Sequence, residues 1–333
     1  MTGPKFTLCR RLSVIAAAFL GLVLGLEAAP AAAQAPAPIT IVVFNPPSLG
    51  AFLPDVIKKE GFDKANGLDL TFVERTPDAY TAQFDSGEFQ VGGSAALLTV
   101  GVADLRGVKT SYLFNLFDYW GAVVTHRPNI KSLADLKGKQ LAAAAGTTNY
   151  RMFLWFAHQQ GLDTSSLQVL NTAPPGLVGY ALADRADAIE LWEPAYTLLI
   201  AKQPDIRTLH LDIAAEWKKF TGSPHSPYLG VAAHQAWIAQ HRTLIAPLYR
   251  TYLAAARWVA AHPDEAAPLI APKADAAGLK AIANLVRDNT RLGMNVSPAG
   301  TLEKEIDAVY RAGVSIGYLQ RMPSASTVYG GKM

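Results

Sequence analysis

The chain has 333 residues and a formal net charge of +3, and half of its residues are hydrophobic. This length is enough for two modest domains or one large one. A charge so near neutral does not support nucleic acid as a partner. The single cysteine, Cys9, excludes an intramolecular disulfide and a zinc–thiolate cluster.

The first 33 residues have the pattern of a secretory signal peptide. Lys5, Arg10 and Arg11 precede an apolar run at 12–26, and the alanines at 31–33 supply the small residues that a signal peptidase requires. The run is shorter than the roughly 20 residues of a membrane span, which disfavours a retained anchor. The arginine pair leaves twin-arginine export open beside general secretion. We expect cleavage near Ala33 and a mature chain without cysteine.

Strand-like and helical segments then alternate along the chain. Strands are predicted at 39–44, 68–74, 90–93, 110–115, 120–125, 140–145, 166–170, 188–192 and 227–233, and most are separated by helical patterns. Such alternation is typical of parallel sheets flanked by helices. After Ala233 the pattern is almost wholly helical.

Two of these strands, 120–125 and 227–233, bracket the middle of the chain and are interpreted as crossings between two lobes. The first lobe is predicted to comprise residues 34–125 and to be completed by residues 228–333, which also supply C-terminal helices. The second lobe is predicted at residues 126–227. The fold class is therefore α/β with two lobes, each a mostly parallel sheet flanked by helices, and with a cleft between them.

Ligands of open parallel sheets lie where strands end and helices begin. The first such junction contains Asn45 and Ser48 as candidate ligand residues, with an ordinary proline-rich turn capped by Ser48 as an equal alternative. The second contains Ser94 and Ala95 after two glycines that permit close backbone approach, and helix capping alone is the alternative.

The third junction is Gly146-Thr147-Thr148-Asn149, between a strand and an amphipathic helix. Free N–H groups and the positive end of the helix dipole suit a small anion or a polar ligand edge there. The same region is preceded by a short helix whose capping box pairs Ser132 with Asp135.

The fourth candidate position lies on strand 188–192, where Glu190 and Trp192 are two residues apart and are expected on one face. A carboxylate inside an apolar strand is costly to bury without a partner, which is either a protein cation or a ligand N–H. We predict the ligand. Trp192 is either a core residue or a stacking surface, and Tyr228 is either a core residue or a wall of the same pocket.

Several segments, in their order and spacing, resemble the solute-binding proteins of bacterial ABC importers, in the nitrate, sulfonate, taurine and thiamine-pyrimidine-precursor group. The resemblance covers about residues 39–233, and its motifs are EGFDKANGLDLTFVE at 60–74, DSGEFQVGGSAA at 85–96 and ADAIELWEP at 186–194. It implies a type II-like periplasmic binding fold, a periplasmic location and a small polar solute. An ABC permease with its ATPase is the implied partner of a monomeric binding protein without enzymatic activity.

A zwitterion such as taurine, or another aliphatic sulfonate, satisfies the helix-end donors, and its amine would satisfy Glu190. An aminopyrimidine thiamine precursor is the alternative, whereas nitrate leaves Glu190 without a counterpart. A pyrimidine-synthase-like enzyme, which depends on a cysteine-rich motif, and a secreted sensor are alternatives of other classes. The sequence has no nucleophile elbow, phosphate loop or metal-type histidine spacing. No catalytic residue, metal or cofactor is therefore predicted.

Overall fold

The computed structural model describes Met1 and residues 35–333, and residues 36–333 form one compact unit. The predicted signal peptide and its cleavage position lie outside the described residues. Within the described range, no helix combines the length and the apolar character that a membrane crossing requires.

One sheet is built from both ends of this unit. Its spatial order is β11–β4–β10–β3–β1–β2, with β1 at Ala37–Phe44, β2 at Leu68–Arg75, β3 at Val91–Ala96, β4 at Thr110–Asp118, β10 at Pro227–His234 and β11 at Met294–Pro298. The strands β1, β2 and β3 are parallel, while β10 is antiparallel to β3 and β4, and β11 is antiparallel to β4. The buried β-branched residues of β1 favour an extended strand inside the sheet, between β3 and β2.

The middle of the chain forms the other sheet. Its order is β7–β6–β8–β5–β9, with β5 at Ala122–Thr125, β6 at Gln140–Ala143, β7 at Gln168–Asn171, β8 at Ala188–Leu191 and β9 at Arg207–Leu209. The strand β6 is parallel to β7 and β8, whereas β5 is antiparallel to β8 and β9. Both sheets are therefore mixed rather than mostly parallel, because each includes strands that run against its parallel core.

Thirteen α-helices are described over this range. Those associated with the N-terminal strands are α1 (Pro54–Glu60), α2 (Phe62–Ala65), α3 (Pro77–Asp85) and α4 (Leu97–Leu105), and those of the middle segment are α5 (Thr148–Gln159), α6 (Pro174–Leu182), α7 (Ala195–Lys202) and α8 (Ile213–Thr221). The C-terminal helices are α9 (Gln235–Gln240), α10 (Arg242–Ala261), α11 (Pro263–Ile270), α12 (Ala276–Asp288) and α13 (Glu303–Ser315). The predicted capping box of Ser132 and Asp135 is present and opens a 3-10 turn.

Two strands differ from the pattern that the sequence predicts. The run at 122–125 is predicted to end the first lobe, yet β5 pairs with β8 and β9 of the other sheet. The backbone leaves the first sheet at Asp118, and the two crossings meet where the N–H of Tyr119 donates to the carbonyl of Ser226 at 2.8 Å. The strand β11 interrupts the C-terminal part that is predicted to be almost wholly helical. Its sequence, MNVSP, alternates apolar and polar residues over only five positions and ends in a proline, and it pairs only at a sheet edge.

Hydrophobic residues pack in two clusters that meet at the second sheet. Val123 of β5 and Ala188 of β8 belong to the larger cluster, which continues into the first sheet. Their strand neighbours, including Ile189 and Leu191, belong to a smaller cluster on the opposite face. This alternation follows from the two-residue period of a strand. It places Glu190, two residues after Ala188, on the face of β8 that joins the larger cluster.

Candidate functional site

A cleft lined from both sheets contains the candidate site. Its inner cavity, of about 80 Å³, is lined by residues at 44–49, 77–81 and 96–99, by residues 146–148, 174 and 192 of the middle segment, and by residues 228–229. A second cavity of about 240 Å³ adjoins it and shares five lining residues, namely Pro77, Asp78, Gly146, Thr147 and Pro174. We call the two together the cleft.

Seven of the eleven candidate residues line the inner cavity. They are Asn45, Ser48, Gly146, Thr147, Thr148, Trp192 and Tyr228. The other four, Ser94, Ala95, Asn149 and Glu190, are almost completely buried and do not line it. The structure thus brings together residues from junctions that are about 180 positions apart in the sequence. Contact with a ligand stays a prediction for all of them.

At the first junction, Ser48 both caps a turn and faces the cleft. Its side chain accepts a hydrogen bond from the N–H of Ala51 at 3.2 Å, which is the capping role. Its hydroxyl also lies within 3.3 Å of the carbonyl oxygen of Phe44. The two alternatives of the sequence analysis are therefore compatible at this position.

At the second junction, Ser94 has a structural contact in place of a cleft contact. Its hydroxyl oxygen accepts the N–H of Phe44 at 2.8 Å and so joins β3 to β1. The paired glycines before it also serve packing: a methyl group at Gly92 would overlap the hydroxyl of Tyr80, and one at Gly93 would lie 2.9 Å from the hydroxyl of Tyr252. The space left by the missing side chains of these glycines is therefore occupied by tyrosine hydroxyls and not by the cleft.

The helix that follows this junction nevertheless reaches the cleft. Ala96 is the N-cap of α4, and no side chain caps its first turn. Ala96 and Thr99 both line the inner cavity. The first-turn N–H groups of α4 are therefore candidates for an acceptor in the cleft.

At the third junction, Thr147 is the N-cap of α5. Its hydroxyl oxygen accepts the N–H of Tyr150 at 3.3 Å and donates to the carbonyl of Ala144 at 2.8 Å. Thr148 lines the cavity, whereas the side chain of Asn149 is directed into the interior, towards Tyr228. The N–H groups of the first turn remain at the cleft side of the helix.

Four helices begin at the cleft. Residues at or next to the N-termini of α3, α4, α5 and α6 line it, namely Pro77, Ala96, Thr147 and Pro174. Each N-terminus carries a partial positive charge and N–H groups without intrahelical acceptors. Their convergence supplies N–H donors that suit an anionic group, although the lining residues include no lysine or arginine and one of them, Asp78 in the first turn of α3, is a carboxylate.

Glu190 lies behind the cleft. It is fully buried, opposite Val123, on the face of β8 that joins the larger cluster. Among residues 35–333 its carboxylate has no hydrogen-bond or ion-pair partner, and burial raises its pKa to about 8. Burial raises the pKa values of its neighbours Tyr119, Tyr150 and Tyr228, and the negative charge of Glu190 raises them further.

The prediction that Glu190 and Trp192 share one face is wrong. The strand β8 ends at Leu191, so the two-residue alternation no longer holds at Trp192. Trp192 instead packs against the smaller hydrophobic cluster and lines the cleft.

Glu193, next to Trp192, has a clear structural partner. One of its oxygens lies 3.2 Å from Nε of Arg291, and it accepts the N–H of Thr197 at 3.2 Å in the first turn of α7. Burial raises its pKa to about 7 although Arg291 acts in the opposite direction. The pair joins the second sheet to the loop that follows α12.

Asp78 and Thr81 of α3 are cleft residues that the sequence analysis does not name as ligand candidates. Asp78 lines both cavities and is exposed. The nearby Arg75 does not pair with it, because that guanidinium donates to the side chain of Gln83 at 2.7 Å and to the carbonyl of Glu74 at 2.8 Å. In the sequence, these residues could have been found from the strand–turn–helix junction at 75–78, which has the same form as the junctions that contain Ser48, Ser94 and Thr147.

No group of three or more His, Cys, Asp and Glu side chains that could hold a metal ion is found among the described residues.

A family model described as NMT1/THI5 like matches residues 56–266 of the chain. A search of curated proteins finds no match. Solved structures with the same fold include the alkanesulfonate-binding protein SsuA from Xanthomonas axonopodis pv. citri bound to MOPS, with a TM-score of 0.71 and 16% identity, covering 89% of this chain and 99% of that one.

Two further structures are similar. The periplasmic aliphatic sulphonate binding protein SsuA from Escherichia coli has a TM-score of 0.66 and 16% identity over 87% of this chain and 96% of that one. The periplasmic nitrate-binding protein NrtA from Synechocystis PCC 6803 has a TM-score of 0.64 and 13% identity over 88% and 84%. The predicted two-lobed binding-protein fold is thereby confirmed, and so is the family resemblance.

Proposed function

Because this chain belongs to the NMT1/THI5-like family, we propose that it is a periplasmic solute-binding protein of an ABC importer. Its solute is a small molecule with an anionic group, of the aliphatic sulfonate class. The observation that carries this proposal is the convergence of four helix N-termini on a single cleft between the sheets. The protein binds and does no chemistry on its solute.

The anionic group is held by backbone N–H groups and hydroxyls. The first turns of α4 and α5 supply N–H donors, and Thr99 and Thr148 supply side-chain hydroxyls in the same cavity. Such donors can bind a sulfonate although the site has no formal positive charge, because helix dipoles and hydrogen bonds stabilise the negative charge of the sulfonate. A sulfonate offers three oxygens, which matches donors that arrive from several directions.

The apolar part of the solute packs on aromatic side chains. Trp192 and Tyr228 line the inner cavity beside Phe44 and Leu229. An alkyl chain attached to the sulfonate gains from leaving water at this surface. This wall favours an organic anion over nitrate, the solute named for one structural neighbour.

Closure of the cleft follows from its construction. Its lining comes from both sheets, and the chain passes between the sheets at the adjacent crossings near Tyr119 and Ser226. A solute that contacts both sides binds the closed arrangement more tightly and shifts the population towards it. The closed form then delivers the solute to a permease and its ATPase, and the binding protein acts as a monomer.

An aminopyrimidine is the second candidate solute. Two observations favour it: the aromatic side chains Trp192 and Tyr228, and the carboxylate of Asp78, all line the cleft. A flat heterocycle packs on such aromatic surfaces, and its exocyclic amine donates to a carboxylate.

Thermal unfolding of the purified protein tests the proposal. Ethanesulfonate, taurine, a 4-aminopyrimidine and nitrate are added separately, and a ligand at about 100 times its Kd stabilises the folded state by about 2.7 kcal/mol. Thr148→Val should weaken the sulfonate effect, whereas Thr164→Val, outside the cleft, should not. A shift with neither sulfonate nor aminopyrimidine contradicts the proposal, and turnover of any of these compounds indicates an enzyme instead.

A further inference from the structure

We propose that Asp78 selects solutes that carry a positively charged amine in addition to their anionic group. This inference rests on the proposed function and narrows the solute to a small zwitterion of the aminosulfonate type. It assigns a specificity role to a residue of α3 that lies at the junction of the two cavities of the cleft.

The position of Asp78 places its carboxylate at this junction. Asp78 follows Pro77 at the start of α3 and lines the inner and the adjoining cavity alike. Gly146, Thr147 and Pro174, which belong to the middle segment, line the same two cavities. A ligand group at this point therefore touches both sides of the cleft at once.

The carboxylate of Asp78 is free to accept a ligand donor. It lies in the first turn of α3, is exposed, and forms no hydrogen bond or ion pair with another side chain in the part of the chain that the structure describes. No lysine, arginine or histidine occurs among the lining residues of either cavity. Asp78 is also the only carboxylate among them, so it contributes the only formal charge of the lining at neutral pH.

This charge distribution distinguishes two kinds of anion. Partial positive charges from α4 and α5 attract the anionic end, while Asp78 repels any anion that has no compensating cation. An ammonium group on the solute makes its interaction with Asp78 attractive. A zwitterion is therefore attracted both by the helix N-termini and by Asp78, whereas a simple alkanesulfonate is attracted by the N-termini and repelled by Asp78.

The sequence pattern places the amine acceptor at Glu190, and the structure favours Asp78 for that role. Glu190 is fully buried among tyrosines and is not part of the cleft lining. An ammonium group in the cleft can reach Asp78 without rearrangement of the core. The sequence predicts that an anionic group and an amine are bound together. The inference keeps this prediction but assigns the amine to Asp78 in place of Glu190.

Taurine and ethanesulfonate form a matched pair, since they differ by the amine alone. Their Kd values are measured by isothermal titration calorimetry on the wild-type protein and on Asp78→Asn. Asp55→Asn is the control, because Asp55 follows Pro54 at the same position of α1, is exposed and lies outside both cavities. Ligand-free melting temperatures establish that all three proteins are folded.

The wild type and Asp55→Asn should bind taurine about fivefold more tightly than ethanesulfonate, the factor expected for one partly screened ion pair. Asp78→Asn should lose this preference by binding taurine more weakly and ethanesulfonate more tightly. A preference that survives in Asp78→Asn, or no preference in the wild type, overturns the inference and leaves sulfonate binding intact. Binding of neither sulfonate overturns the sulfonate class of the proposed function together with the inference.

Discussion

Glu190 should make the free energy of unfolding fall as the pH rises from about 4.5 to 8. Its carboxyl is fully buried without a partner in the described structure, and burial raises its pKa from 4.5 to about 8. The folded state consequently holds this proton more tightly than the unfolded state does. The native state is therefore penalised progressively as the pH rises through this window, and the penalty is absent below it.

The size of the penalty follows from the difference between the two pKa values. One pKa unit corresponds to about 1.4 kcal/mol. The penalty of Glu190 is therefore about 3 kcal/mol at pH 7 and about 5 kcal/mol above pH 8. Glu190→Gln removes the ionisable group but keeps a buried amide, which costs about 1–3 kcal/mol at every pH. The variant should be no more stable than the wild type at pH 5 and clearly more stable at pH 8.

Urea unfolding followed by tryptophan fluorescence at pH 5, 6, 7 and 8 provides the assay. The difference in free energy of unfolding between Glu190→Gln and the wild type should grow by about 3 kcal/mol over this range. Other titrating groups are common to both proteins and cancel in the difference. Glu60→Gln, which changes an exposed glutamate, is the control. Parallel pH profiles for Glu190→Gln and the wild type would refute the reasoning.

Three further predictions concern the packing and the crossings. Arg291→Met removes the ion-pair partner of Glu193 and should cost about 1–3 kcal/mol in urea unfolding, because Arg291 is partly exposed and the raised pKa of Glu193 lets its carboxyl take up a proton. Most of this loss should be recovered in the double variant with Glu193→Gln, and additive losses would contradict the coupling. Gly230→Ala places a methyl group against a carbonyl of β4 and should cost about 1–3 kcal/mol, and an unchanged melting temperature would count against it. Asp118 raises the pKa of His225 through a hydrogen bond, so their interaction should stabilise the fold below pH 6.5. This stabilisation should be lost as the pH rises through the raised pKa of His225. NMR titration of His225 should show a lower pKa in Asp118→Asn than in the wild type, and the same pKa in both proteins would exclude the interaction.

Local features of the chain could be predicted from the sequence by itself. The capping box of Ser132 and Asp135 and the cap of α5 at Thr147 involve residues three positions apart, so neighbouring letters suffice to identify them. The junctions at Ser48 and Thr147 reach one cleft because chain order and strand direction decide at which sheet edge a loop emerges.

The partners of each strand and the depth of each side chain were decided only by the tertiary structure. The strand β5 joins the second sheet because it pairs with β8 and β9, which follow it by more than 60 residues. Glu190 is buried and Asp78 is exposed in the cleft, although both are carboxylates near strand ends. Burial depends on which distant segments pack against a residue. That information is spread over the whole chain, and no local pattern contains it.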